Sequence, residues 1–107
     1  MFTIGLSQFD IKAADPRANT ARMKADIGKA KAANCDILIF PELSIPGYFI
    51  GDIWDQPDFI DECVAFGKEI QSLSEGITLI FGNVAKEEGR VNLDGRLRKY
   101  NAMFIAR

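Results

Sequence analysis

The segment Ile37-Leu38-Ile39-Phe40-Pro41-Glu42 sets a carboxylate one residue beyond a run of four apolar side chains. Such a run reads as a buried strand, and the proline ends it because proline brings no N–H to a sheet ladder. Loops that follow strands are where α/β folds place their chemistry. Glu42, at the rim of a buried sheet, is therefore a candidate general base, since burial raises a carboxylate's affinity for a proton. The competing reading is a solvated acid at a strand end. The loop beyond it carries Pro46-Gly47-Tyr48-Phe49 and then Gly51-Asp52-Ile53-Trp54-Asp55. Aromatics in a loop this long can wall a small-molecule pocket, or Trp54 and Phe49 can anchor the loop to the core.

The sequence contains no histidine. That excludes His-based metal sites and Ser–His or Cys–His pairs within the chain, so a nucleophile served here needs another base, and no metal site is expected. The two cysteines, Cys35 and Cys63, form no CxxC pattern and no disulfide framework. Both read as small buried hydrophobes in a reducing compartment.

The elements that position these groups follow from periodicity. Phe2 to Phe9 alternates in part, with Phe2, Ile4, Leu6 and Gln8 on one side, and reads as a first strand with the chain start buried. A polar loop from Asp10 to Asn19 leads to a helix over Thr20 to Asn34, capped by Asn19 or Thr20 and stopped by Asn34 in a left-handed conformation. The Cys35–Phe40 strand comes next. A second helix spans Pro57 to Ser74, with a broad apolar stripe that includes Phe59, Ile60, Cys63 and Ile70. Ile77 to Phe81 is a third strand. Two turns are expected after it, at Lys86–Arg90 and at Asp94-Gly95, before a fourth strand over Tyr100 to Ala106. The order is β-α-β-α-β-β, a mostly parallel α/β sheet closed by a local hairpin.

Composition bounds the rest. The chain has 107 residues, 48% hydrophobic and 26% charged, with a net charge of -2. That is ordinary globular composition with no basic field for a phosphate backbone, so nucleic acid is not an expected partner. The one cationic cluster, Arg96-Leu97-Arg98-Lys99, reads as a solvated hairpin. No signal peptide and no membrane-length apolar run is present, and a cytosolic location is expected. Two helices cannot cover both faces of four apolar strands, and the chain stops at an apolar strand. A truncated domain is therefore expected, with one sheet face left for more chain or another subunit.

Several of these pieces together resemble a known family. Phe40-Pro41-Glu42-Leu43 followed by Pro46-Gly47-Tyr48 is similar to the first catalytic segment of the nitrilase, or carbon–nitrogen hydrolase, superfamily. Ile4 to Phe9, Ile80-Phe81-Gly82 and Tyr100-Asn101-Ala102 resemble its first, third and fourth strands, in the right order. Asp52, Pro57 and Phe59 further match the glutaminase domain of glutamine-dependent NAD synthetases. Phe49-Ile50, Gly51 and Gln56 depart from that branch's pattern. The resemblance implies a partial αββα sandwich, with residues 1–107 as the N-terminal portion of an amidase domain. It also implies a Glu-Lys-Cys triad of which only the base, Glu42, lies in this chain, and a substrate-pocket role for Tyr48. Lys99 precedes the Tyr-Asn-Ala signature and is on the wrong side to be the triad's lysine. Glutamine or another small amide is the implied substrate, and a homo-oligomer the implied assembly. ATP and magnesium are implied only for a separate synthetase domain, with no cofactor in this chain. An ω-amidase, a carbamoylase, an aliphatic amidase or a non-catalytic fragment are the alternatives.

Overall fold

The computed structural model describes all 107 residues. Its elements are β1 (Ile4–Leu6), α1 (Pro16–Ala32), β2 (Ile37–Ile39), a short 3-10 turn (Gly51–Asp55), α2 (Pro57–Gln71), β3 (Thr78–Val91) and β4 (Leu97–Ala106). The expected order holds. The sheet runs β1-β2-β3-β4, parallel through β3 and antiparallel from β3 to β4.

Alternation along the strands divides the sheet into two unlike faces. Leu38, Phe40, Leu79, Phe81 and Ala106 are buried with Met23 and Ile27 of α1 and Phe59, Ile60, Cys63 and Ile70 of α2. The other face carries a cross-strand row of Leu6, Ile39, Ile80 and Ile105, which are partners in the register. Nothing covers the ends of that row: Leu6 is 69% exposed and Ile105 59%, with Ile4 and Met103 also exposed. The expected open face is therefore present. It also overturns one expectation, because Phe2, Ile4 and Leu6 lie on this face and the chain start is exposed rather than buried.

Other boundaries differ for local reasons. Helix α1 begins at Pro16, earlier than Thr20, and its cap is Asp15, whose Oδ1 accepts from Ala18 N at 3.1 Å. Proline in the first helical turn, where its missing N–H is no loss, extends the helix back to that cap. Asn19 and Thr20 are instead buried within the first turns. Asn34 ends the helix with φ 58°, as its side chain allows. Strand β3 runs straight through the expected turn at Lys86–Arg90, and only the turn around Asp94-Gly95 joins it to β4. A long two-stranded arm results, held by cross-strand pairing and a register shift between Lys86 and Val91. Cys63 is fully buried, whereas Cys35 is only half-buried.

Asn19 has a use that its position in the sequence hides. Its Oδ1 accepts from Lys12 N at 2.8 Å, and its Nδ2 donates to Lys12 O at 2.8 Å and Ile45 O at 2.9 Å. One buried amide thus ties the loop after β1 to the loop after β2. Replacing Asp15 with alanine should cost about 1 kcal/mol as a lost cap. Replacing Asn19 with alanine should cost about 2–3 kcal/mol, because it strands buried backbone groups. Urea unfolding of the two variants checks the order, which is reversed if Asn19 is the cap.

Candidate active site

Glu42 is placed by three backbone features. Phe40 N makes the last strand bond to β3, to Ile80 O at 2.8 Å, and Pro41 then ends the ladder. The chain next turns across Gly82 of β3. A Cβ at Gly82 would sit 2.8 Å from Glu42 C and 2.9 Å from Glu42 Cα, and closer still to Leu43 N. Only glycine admits this crossing. Ser44 then takes the place of a strand neighbour: its buried hydroxyl donates to Gly82 O at 3.0 Å and accepts from Gly82 N at 3.3 Å. Leu43 adopts φ 48°, a left-handed conformation that is costly for leucine and is held by these bonds on either side. From below, Ala14 N donates to Pro46 O, and Gly47, at φ 84°, packs against Lys12 O where a Cβ would lie 2.8 Å away.

The carboxylate is exposed at the C-terminal end of β2, not sunk in the core. Each oxygen receives one neutral donor. Asn101 Nδ2 donates to Oε1 at 2.5 Å, and Tyr48 Oη donates to Oε2 at 3.3 Å. Glu42 takes part in none of the chain's ion pairs. Glu42 and Asn101 line a cleft of about 370 Å³ together with Ile39, Ile80, Gly82 and Met103, so the acid stands at the margin of the open sheet face. Tyr48 meets the carboxylate but is not among the cleft's lining residues. Phe49 projects fully into solvent, whereas Trp54 packs on the core, so the long loop is anchored at one aromatic only.

Sequence reasoning singled out Glu42 and Tyr48, and the fold brings them together. It used Asn101 only as part of a strand signature, although the two groups meet across 59 positions of sequence. Inward alternation along β4 could have placed Asn101 on the same face as Met103 and Ile105, but nothing local announces the contact. Lys99 is accounted for elsewhere: its Nζ lies 3.6 Å from Asp55 Oδ1, and Arg96 pairs with the same carboxylate at 3.2 Å. The cationic cluster is thereby tied to the end of the long loop. Burial, and then the charge of Glu62, push the Cys63 thiol up to about 12, which suits a packing residue rather than a nucleophile. No group of three or more His, Cys, Asp or Glu side chains is arranged to hold a metal ion. No helix is long and apolar enough to cross a membrane.

Comparison with known proteins places the chain in a family and a fold. The carbon-nitrogen hydrolase family matches over residues 3–105, and the chain belongs to that family. It is 31% identical over 87 residues to a glutamine-dependent NAD(+) synthetase from Acinetobacter baylyi, covering 81% of this chain and 16% of that protein. A glutamine-dependent NAD(+) synthetase from Xanthomonas campestris is 32% identical over 80 residues, covering 74% and 14%. The crystal structure of a glutamine-dependent NAD(+) synthetase from Cytophaga hutchinsonii superimposes with a TM-score of 0.83 at 25% identity, over 98% of this chain and 17% of that one. An amidase from Nesterenkonia sp. shares the fold at a TM-score of 0.68 and 19% identity, over 94% and 42%. The chain thus spans about a sixth of the length of the synthetases it matches.

Tyr48 offers a direct probe of the site. Desolvation, then the charge of Glu42, then the hydrogen bond to it, raise the phenol above its ordinary value. The neutral phenol is the form favoured by folding. Its contribution to stability is complete below the ordinary phenol pKa of about 10 and fades as pH rises through the elevated folded value. In a Tyr100→Phe background Tyr48 is the only tyrosine, and its ultraviolet titration should lie above that of a model phenol. Glu42→Gln should bring it part of the way back. A titration unmoved by Glu42→Gln would show that the two groups do not meet.

Proposed function

We propose that residues 1–107 are the N-terminal portion of a glutamine-hydrolysing amidase domain, and that Glu42 is its general base. The reading is supported chiefly by the Glu42 carboxylate, which is fixed by two neutral donors at the end of β2, in a chain that belongs to the carbon-nitrogen hydrolase family. Similarity to glutamine-dependent NAD(+) synthetases favours glutamine as the amide and NAD formation as the use of the released ammonia. In this reading a cysteine and a lysine from outside these residues complete the site. Glu42 takes the thiol proton as the sulfur attacks the amide carbon. The lysine steadies the oxyanion of the tetrahedral intermediate, Glu42 returns its proton to the nitrogen so that ammonia leaves and a thioester remains, and the freed carboxylate then activates the water that releases glutamate and the thiol. ATP and magnesium belong to a separate synthetase domain, and the protein is cytosolic.

A chimera tests this. Residues 1–107 replace the matched segment of the Acinetobacter baylyi synthetase, and NAD+ formation is measured with glutamine and with ammonia. Both should proceed in the chimera. Glu42→Gln should lower the glutamine-driven rate by about 100-fold or more while the ammonia-driven rate stays, which also certifies folding. Equal loss of both rates, or of neither, counts against the reading. Ammonia release from glutamine by the 107-residue chain itself would contradict a nucleophile lying elsewhere.

The open sheet face carries a second part of the proposal, self-association of the chain. Leu6, Ile39, Ile80 and Ile105 form a continuous apolar row with Met103 beside it, and such a surface is costly in water. Sedimentation of the 107-residue chain should show dimers or larger species that dissociate in Ile80→Lys or Ile105→Lys. A monomer at high concentration would rule this out.

A further inference from the structure

The two oxygens of Glu42 are not equivalent. Oε1 receives a short bond, 2.5 Å, from an amide on a strand, whereas Oε2 receives a long one, 3.3 Å, from a phenol on a loop. We infer that Asn101 is the positioning residue of this carboxylate: its amide immobilises Oε1, and Oε2 is the oxygen that exchanges protons. The inference rests on the reading of Glu42 as a general base and deepens it.

The case is built from the backbone outward. Asn101 lies within β4 and faces Val84 of β3 in the antiparallel register, and Val84 is fully buried. Its Cα is therefore fixed by the sheet, and its side chain has only two rotatable bonds with which to wander. Its Nδ2 donates to no group other than Glu42. An amide nitrogen donates and cannot accept, so at this distance it can orient the carboxylate but take no part in moving its proton. Tyr48 differs on each count. Both residues are exposed, but Tyr48 sits beside Phe49, whose φ is 56°, on an irregular stretch of the loop rather than on a paired strand. A phenol can rotate its hydroxyl, donate or accept. Its long bond to Oε2 is one that an arriving donor can replace. When the proton of a nucleophile is taken, its bond to that nucleophile breaks and an O–H bond forms at Oε2, while Oε1 keeps its amide and the carboxyl plane does not turn. Holding a base within a fraction of an ångström of its working position is worth about 100-fold in rate.

The test uses two readouts that a general structural role would not move together. In the 107-residue Tyr100→Phe chain, the Asn101 side-chain amide should show an NMR shift that follows the protonation of Glu42 and is lost in Glu42→Gln. Asn101→Ala should move the Tyr48 titration toward that of Glu42→Gln, because the untethered carboxylate disperses. In the chimeric synthetase, Asn101→Ala should lower the glutamine-driven kcat about 100-fold, leaving KM within about twofold and the ammonia-driven rate intact. Asn101→Asp, of the same shape, should be as slow at neutral pH and recover as pH falls, when a protonated Asp can donate to Oε1. An amide deaf to Glu42, an unmoved Tyr48, or an undiminished kcat each overturns the inference. If the unsubstituted chimera has no glutamine-driven rate but both spectroscopic results hold, the amidase reading fails and the tether stands.

Discussion

The structure depends on a contact between two backbones: Glu42 and Leu43 lying on Gly82. A side chain at Gly82 would occupy the space of Glu42 Cα and C, and without the crossing the loop after β2 could not reach across β3. Close approach also lets Ser44 act as a surrogate strand residue, satisfying both polar groups of Gly82 with one hydroxyl. Sheet polar groups left bare at this point would each cost about 1–3 kcal/mol. The left-handed Leu43 is tolerated because these bonds leave it no alternative. Site geometry is thus set by main chain, with the side chains of Asn101 and Tyr48 refining where the carboxylate points.

A second tier supports the first. Asn19 and Gly47 tie the same loop to the β1–α1 side, one by an amide that bonds Ile45 O while held at Lys12 by two further bonds, and the other by the absence of a Cβ. Residues far from the carboxylate in sequence therefore share in placing it. The open face of the sheet lies on the other flank, so the acid sits where covered and uncovered surfaces meet.

Much of this was legible in the residues, and the remainder shows where local rules stop. Strand identity, the order of elements, the terminator Asn34 and the loop placement of Glu42 follow from short-range pattern. The start of α1 did not, because two good caps, Asn19 and Thr20, sit close to a better one, Asp15 followed by proline. Burial of Asn19 is decided by partners on another loop, which periodicity cannot see. The turn expected at Lys86–Arg90 failed for a related reason: charges and Gly89 signal a turn, yet the irregularity is absorbed within β3 as a register shift, and pairing with β4 resumes at Val91 and Leu97. Glu42 was found because proline marks it. Its principal tether was not, because a contact spanning 59 residues leaves no local trace.

The two donors on Glu42 also differ in when the chain can supply them. Tyr48 is six residues away and can reach the carboxylate from within one loop. Asn101 arrives only once the β3–β4 hairpin has formed and docked beside β2. A partly folded chain can therefore satisfy Oε2 but not Oε1. The direction of the carboxylate is in this way tied to completion of the fold: on an unfinished chain only the bond from within the loop is available, and the delay of the second comes from the sequence distance between the two partners rather than from either residue alone.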